Sequence, residues 1–406
     1  MDTHQLIPHL FRTEFRKIAS VLSKYFGPKH IQLAEDVASE TFLLALETWT
    51  YKGIPENPTA WLYAVAKNKA LNHINRLHLF QNKIAGGLQK VSLDEEKFSV
   101  DLSEQNIYDS QLQMLFAICH PSIPVESQIG LALRILCGFG IDEIAHAFLT
   151  SKEVINKRLF RAKEKLREEN ILIEFPSDKE IENRLDVVLK TLYLLFSEGY
   201  YSETNNEVLR EDLCLESMRL TYLLLENNST NMPKVNALLS LMCFHSSRFP
   251  ARKNGVGELI LYYDQDEQLW NKELISKGVE YLHLSSTGDQ LSTFHLEATI
   301  AYWHTIKEDT QEKWNAILQL YNHLLQLQYS PVAALNRTFA LSKVYGKEKA
   351  IAEAEKLKLT QNQFYYTLLG ELYQEIDPNK ARDNFEKAYQ LAKTDSDKSI
   401  IKRKLG

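Results

Sequence analysis

The densest concentration of cationic side chains lies between Ser151 and Arg167. There Lys152, Lys157, Arg158, Arg161, Lys163, Lys165 and Arg167 face only Glu153 and Glu164. Seven basic residues against two acidic ones give this stretch a charge of +5, in a chain whose formal net charge is −6. A nucleic-acid footprint is a local patch, so an acidic total does not exclude one. Guanidinium and ammonium groups at this density hold phosphates, while Asn can pair with adenine and Lys with guanine at base edges.

The surrounding sequence supplies elements that would position these groups. Gly138–Phe139–Gly140 precedes a short helix expected over 141–148, with Ile141, Ile144, Ala145 and Phe148 directed inward. Leu149–Thr150–Ser151 forms a turn, and Thr150 or Ser151 can cap a second helix that reaches about Leu166. Val154, Leu159, Ala162 and Leu166 give that helix an apolar side, with Ile155 nearby. Two helices joined by so tight a turn form a helix-turn-helix, whose second helix presents its leading residues to the major groove. Ser151, Lys152, Asn156 and Lys157 would then read bases, while Arg158, Arg161, Lys163 and Lys165 would hold phosphates. The plainer reading is a basic helix in an ordinary hairpin.

A second polar surface lies earlier in the chain. Ala34, Ala38, Phe42, Ala45 and Trp49 fall on one helical stripe, while Asp36, Glu40 and Glu47 share another face. An acidic helix face can dock a basic or polar partner, or be merely solvated. Next, Asn57 can cap a helix that begins at Pro58, where the missing N–H costs nothing. Leu62, Ala66, Ala70, Ile74 and Leu77 would be buried. Lys67, Asn68, Lys69, Asn72, Asn75 and Arg76 would occupy the other faces, with Trp61 two turns before Asn68. Such a surface offers cations for phosphates, amides for base edges and a ring for stacking an unpaired base.

The rest of the sequence bounds the architecture. In 406 residues, 44 % hydrophobic and 25 % charged, only 15 Gly and 11 Pro occur. That is an ordinary globular balance, and its apolar spacings of three and four predict an all-α protein. The expected layout is a helical domain over 1–79, a linker over 80–110 carrying Gly86–Gly87 and an acidic run, and a helix-turn-helix domain over 111–175. A large helical extension over 176–406 would follow, with a tetratricopeptide-like end from about 310. Tyr366, Leu369, Gly370 and Tyr373 before Pro378, then Ala381, Phe385 and Ala388, suggest one such unit; a plain helical hairpin fits equally.

Cys119, Cys137, Cys214 and Cys243 are widely spaced and form no paired metal signature, so reduced thiols in a cytoplasm are expected. The N-terminus lacks a secretion-signal pattern, and no apolar run is long enough to span a membrane. Cys119–His120–Pro121 reads as structural, and Asp264, Asp266 and Glu267 as caps or links beside a core Trp270. Gly255–Val256–Gly257 is too short for a phosphate fingerprint, and His295, Glu297 and His304 lack the HExxH spacing. No metal, cofactor or catalytic residue is expected.

These stretches together resemble the extracytoplasmic-function class of the sigma-70 family. The region 2 pattern appears as AEDVASETFLLALETW (34–49) and NPTAWLYAVAKNKALNHINR (57–76), and the region 4 pattern as LALRILCGFGIDEIAHAFLTSKEVINKRLFRAKEKL (131–166). FAICHP (116–121), RLDVVLKTLYLLFSEGY (184–200), LLSLMCFHSSRFPAR (238–252), LEATIAYWH (296–304) and SPVAALNRTFAL (330–341) resemble the subgroup with a long helical, tetratricopeptide-like extension. The resemblance implies two small helical sigma domains followed by a large helical domain. It implies core RNA polymerase and promoter DNA as partners, with regulation by another protein or intramolecularly through the extension. Asp36, Glu40 and Glu47 would bind the core enzyme. Trp61, Lys67, Asn68, Lys69, Asn72 and Arg76 would engage the minus-ten element. The Ser151–Arg167 helix would read the minus-thirty-five element. The chain departs from the family pattern at Lys67–Asn68, Asn72, Asn75–Arg76 and Glu267. A helical interaction scaffold and a polymerase-independent helix-turn-helix regulator are the rival readings.

Overall fold

The structure is a computed structural model that describes residues 3–84, 100–148, 150–200, 209–254 and 259–405. Among these residues every regular element is helical, and the only strand-like pairing is one isolated bridge between Lys253 and Leu259. The chain divides into two compact units, Met1–Thr191 and Leu192–Gly406.

The first unit begins with α1 (Thr3–Phe26), α2 (Ile31–Lys52) and α3 (Pro58–Ile84). Gly27 and Gly53, at φ of +78° and +83°, let the chain leave α1 and α2 in a conformation that side-chain-bearing residues rarely adopt. Asn57 Oδ1 accepts from the Ala60 N–H at 2.9 Å and opens α3. The expected stripe of Ala34, Ala38, Phe42, Ala45 and Trp49 is buried against Phe15, Ile18, Leu22, Leu62, Ala66 and Ala70. Buried Glu14 is satisfied by the Tyr63 hydroxyl at 2.6 Å and Lys17 at 2.9 Å, tying α3 to α1.

Next come α4 (Glu104–Ile118), α5 (Val125–Leu131) with a π-helical turn at Ala132–Leu136, α6 (Ile141–Ala147) and α7 (Lys152–Glu168). Part of the expected linker is structured. Val100 and Ile107 are buried in the core of the first three helices, and Ser103 caps α4. The polar residues of this stretch supply a cap and a solvated face, while its few apolar ones anchor it. Gly86–Gly87 and Asp94–Glu96 lie outside the described residues.

The extension does not start cleanly at 176. The first part of α8 (Asp178–Tyr200) belongs to the first unit, where Arg184 donates to the Phe116 carbonyl at 2.6 Å. Thr191 also donates to Gln128 Oε1 at 2.6 Å.

The second unit continues with α9 (Glu211–Glu226), α10 (Pro233–Ser246), α11 (Phe249–Arg252), α12 (Lys272–Ser285) and α13 (Thr293–Trp303). It ends with α14 (Gln311–Leu327), α15 (Pro331–Tyr345), α16 (Lys347–Leu357), α17 (Gln363–Tyr373), α18 (Pro378–Leu391) and α19 (Asp395–Leu405). Helices α17 and α18 pack as a hairpin; a Cβ on Gly370 would sit 2.6 Å from the Phe385 ring, so only glycine permits this approach. No helix among the described residues is long and apolar enough to cross a membrane.

Candidate nucleic-acid interface

The helix α7 is positioned by its apolar edge. Ile155, Leu159, Ala162 and Leu166 are each 3 % exposed or less, a spacing of four, three and four. Val154, expected on this edge, is 44 % exposed; Ile155 takes its place because it shares the phase of Leu159 and Leu166. Burying a Leu or Ile contributes roughly 1.5–3 kcal/mol, so three of them dominate the weak charge pairs on the helix surface and fix which side faces out. Ser151 caps the helix through its hydroxyl, which accepts from the Val154 N–H at 3.4 Å. The capping box of α6 joins Gly140 N–H to Glu143 at 2.7 Å.

The outward face carries the expected cations in unequal states. Ser151, Asn156, Lys157 and Arg161 are exposed. Lys152 is exposed and pairs with Asp142. Arg158 is half-buried, with its guanidinium 5.5 Å over the Phe148 ring. Lys165 pairs with Glu169 at 2.6 Å, which raises the lysine's pKa and lowers the glutamate's. These solvent-exposed pairs hold weakly and can exchange for an external phosphate.

Lys163 differs from its neighbours and corrects its expected role as a phosphate holder. Its ammonium pairs with Glu35 of α2 and donates to Gln32 Oε1 at 2.8 Å. The side chains of Lys163 and Glu35 are only 14 % and 4 % exposed. Arg134 Nε lies 3.5 Å from the other Glu35 oxygen, with its guanidinium 5.0 Å over the Phe15 ring. Arg12 pairs with Glu143 and sits 4.6 Å over the Phe139 ring. Gly138, at φ +75°, brings the chain so close to α1 that a Cβ there would lie 3.0 Å from the Arg12 carbonyl. Within this unit, the helix carrying the cations is thus fastened to the helix carrying the acidic face. Glu35 was legible only as an acid beside the apolar Ala34–Ala38 stripe; nothing local marked Arg12, Arg134 or Glu143.

On α2, Asp36, Glu40 and Glu47 are all exposed. Asp36 accepts from Gln32 Nε2 at 3.0 Å. Glu40 accepts from Lys69 of α3 at 2.9 Å, and this hydrogen bond holds its carboxyl below the usual value. Leu43 and Leu46, 56 % and 47 % exposed, stand among these acids and line a groove of about 530 Å³ with Ile7, Pro8, Phe11 and Phe42. Two apolar residues within an acidic helical face are the sequence signal that marks this groove.

On α3, Asn68, Asn72 and Arg76 are exposed, whereas Lys67 is half-buried. Trp61 is half-buried, and its ring packs edge-on against Trp49 at 5.3 Å. Part of that ring therefore belongs to the core.

The motifs read as structural take up core and capping positions where they are described. Cys119 is buried, which pushes its thiol up to about 12. His295 accepts from the Ser292 N–H at 3.1 Å as part of the α13 cap. Asp266 caps a short turn by accepting from the Gln268 N–H at 2.9 Å, beside buried Trp270. Gly255–Val256–Gly257 lies outside the described residues. Among the described residues no group of His, Cys, Asp and Glu could hold a metal ion.

Residues 10–78 match the sigma-70 region 2 family. Residues 184–286 match a family of unknown function, DUF6596. An uncharacterized protein, R00370, of Rhizobium meliloti (strain 1021) is 32 % identical over 399 residues, covering 95 % of this chain and 91 % of its own length. No solved structure matches the chain.

Proposed function

We propose, from the premise that this chain belongs to the sigma-70 family through its region 2 domain and to the same family as R00370, that it is an extracytoplasmic-function sigma factor with a C-terminal regulatory domain. It binds core RNA polymerase through the Asp36, Glu40 and Glu47 face of α2, with Leu43 and Leu46 adding apolar contact. The α3 face of Trp61, Lys67, Asn68, Lys69, Asn72 and Arg76 engages the minus-ten element. Ser151, Lys152, Asn156 and Lys157 read the minus-thirty-five element, with Arg158, Arg161 and Lys165 on phosphates. No catalysis is required of this chain, because the polymerase makes the bonds.

The observation that carries this reading is the presentation of α7. Its apolar edge is buried and its leading residues Ser151, Lys152, Asn156 and Lys157 are exposed, the presentation a groove-reading helix needs. Two DNA contacts on one unit raise each other's effective concentration once polymerase fixes their spacing. The weak pairs at Lys69 and Lys152 release cations to phosphates. Lys163 stays inside, tied to Glu35.

The rest of the chain is read as the regulatory part, with a tetratricopeptide-like end supported by the α17–α18 hairpin and its Gly370–Phe385 approach. Run-off transcription with purified core enzyme and the full chain tests the main reading. Promoter-dependent transcripts are expected only when the chain is added. A chain that never associates with core enzyme, or that binds a symmetric operator tightly without it, overturns the proposal in favour of a scaffold or an independent regulator. The same assay with the chain ended after Thr191 tests the regulatory role, and an unchanged activity profile removes it.

A further inference from the structure

Among the described residues of the second unit, more cations than carboxylates are buried. Arg248 and Arg252, one helical turn apart across the start of α11, are 9 % and 7 % exposed. Neither meets a carboxylate among the described residues. Arg248 Nη2 donates to the Tyr200 hydroxyl at 3.0 Å and lies 3.5 Å from His245 Nδ1. The Arg252 guanidinium sits 3.9 Å over the Tyr200 ring, while its Nε is buried with no acceptor. Its Nη2 reaches the Tyr200 carbonyl at a long 3.5 Å.

The neighbourhood adds positive charge. Lys313, 1 % exposed, donates to the Ile306 carbonyl and to the Tyr262 hydroxyl at 3.2 Å. The Arg248 guanidinium lies over the same Tyr262 ring at 5.5 Å. Asp309 is already engaged by Trp314 Nε1 and by Lys343 at 2.8 Å. Burial and the nearby cations drive His304 down to about 3 and His245 well below its ordinary value, so neither imidazole adds charge. Although burial would raise it, Arg248 and Arg252 pull the Tyr200 hydroxyl below its usual pKa.

Arginine is almost never fully buried unless paired, because a desolvated guanidinium needs a compensating anion. Aromatic faces supply part of that compensation, but they leave the buried Nε of Arg252 without an acceptor and its Nη2 with only a long bond. We propose that Arg248 and Arg252, with Tyr200 and His245 at the rim, form a binding site for a small oxyanion, a metabolite presenting a phosphate or a carboxylate. Guanidinium forks match the oxygen spacing of both groups. Tyr200 and His245 each keep part of their surface exposed while both arginines are buried, so an opening of the cluster would lie on the Tyr200–His245 side. Every residue lies in the second unit, and the inference stands apart from the promoter-reading proposal.

The test uses the full chain at constant ionic strength, titrated with inorganic phosphate in one arm and malonate in the other, against chloride. Calorimetry should give one site, and the melting temperature of the second unit should rise by about 5–10 °C when ligand stands near a hundred times its Kd. Arg252→Gln should weaken binding at least tenfold. Arg248→Lys, which keeps the charge and loses the fork, should weaken it by a similar factor and guards against a misfolded first variant. A response to only one ligand assigns the site to that class. If neither ligand binds, or if both variants respond as the parent chain does, the arginines are structural and the proposal fails.

Discussion

The pairing of Glu35 with Lys163 gives the most demanding prediction. The Glu35 carboxylate is 4 % exposed and receives the Lys163 ammonium, with Arg134 Nε at 3.5 Å from its second oxygen. Glu35→Gln removes the charge that both cations face while keeping the side-chain shape. Breaking a buried pair by removing one partner costs about 3–5 kcal/mol, because the remaining charge stays desolvated. Lys163 is 14 % exposed and keeps Gln32 at 2.8 Å, and Arg134 keeps the Phe139 carbonyl at 3.0 Å, so the loss falls at or just below the lower end of that range. We expect a loss of about 2–3 kcal/mol in urea denaturation of the first unit. Lys163→Met leaves the Glu35 carboxylate, 4 % exposed, facing only Arg134 and should cost a comparable amount. The double variant should recover most of the loss, because removing both partners leaves no stranded charge except Arg134. A loss below about 0.5 kcal/mol for Glu35→Gln, or strict additivity in the cycle, would show that the two helices are not held by this contact.

Three further outcomes follow from the same geometry. Arg158→Ala and Arg161→Ala should each weaken promoter binding by the polymerase complex and make the log–log salt slope shallower by about 0.9, and an unchanged slope removes their phosphate role. Lys152→Ala and Asn156→Ala should change which minus-thirty-five sequences are preferred, measured by selection from a randomised promoter pool; a uniform loss across all sequences excludes base reading. Burial pushes the Glu297 carboxyl up to about 7, with Tyr193 hydrogen-bonded to it. A folded pKa above the unfolded value means the native state binds more protons in between, so stability falls as pH rises from about 4.5 through 7. Glu297→Gln should flatten this slope and gain on the order of 2 kcal/mol over the parent chain at pH 8, relative to pH 5, in parallel denaturation curves.

The local grammar of the chain was readable. Apolar residues three and four apart placed α2, α3 and α7, and Asn57 and Ser151 cap their helices as their types suggested, because capping and helical phase involve residues within a few positions of each other. The exchange of Val154 for Ile155 shows the limit of that grammar. Both are β-branched and adjacent, and only the partner surface selects the one in phase with Leu159. Likewise, the polar look of residues 100–110 concealed Val100 and Ile107, two apolar anchors too sparse to form a periodic signal.

Sequence alone determined that this protein is helical, where its cationic helix begins, and which acids share a face of α2, since each follows from spacing along one segment. Only the tertiary structure decided that Lys163 turns inward to an acid 128 positions away, that Arg12 meets Glu143 across 131, and that Arg248 and Arg252 are buried without carboxylates among the described residues. The charge of a side chain is fixed by its chemistry, but its partner and its solvent are fixed by which surfaces the chain folds together, and no local pattern encodes that.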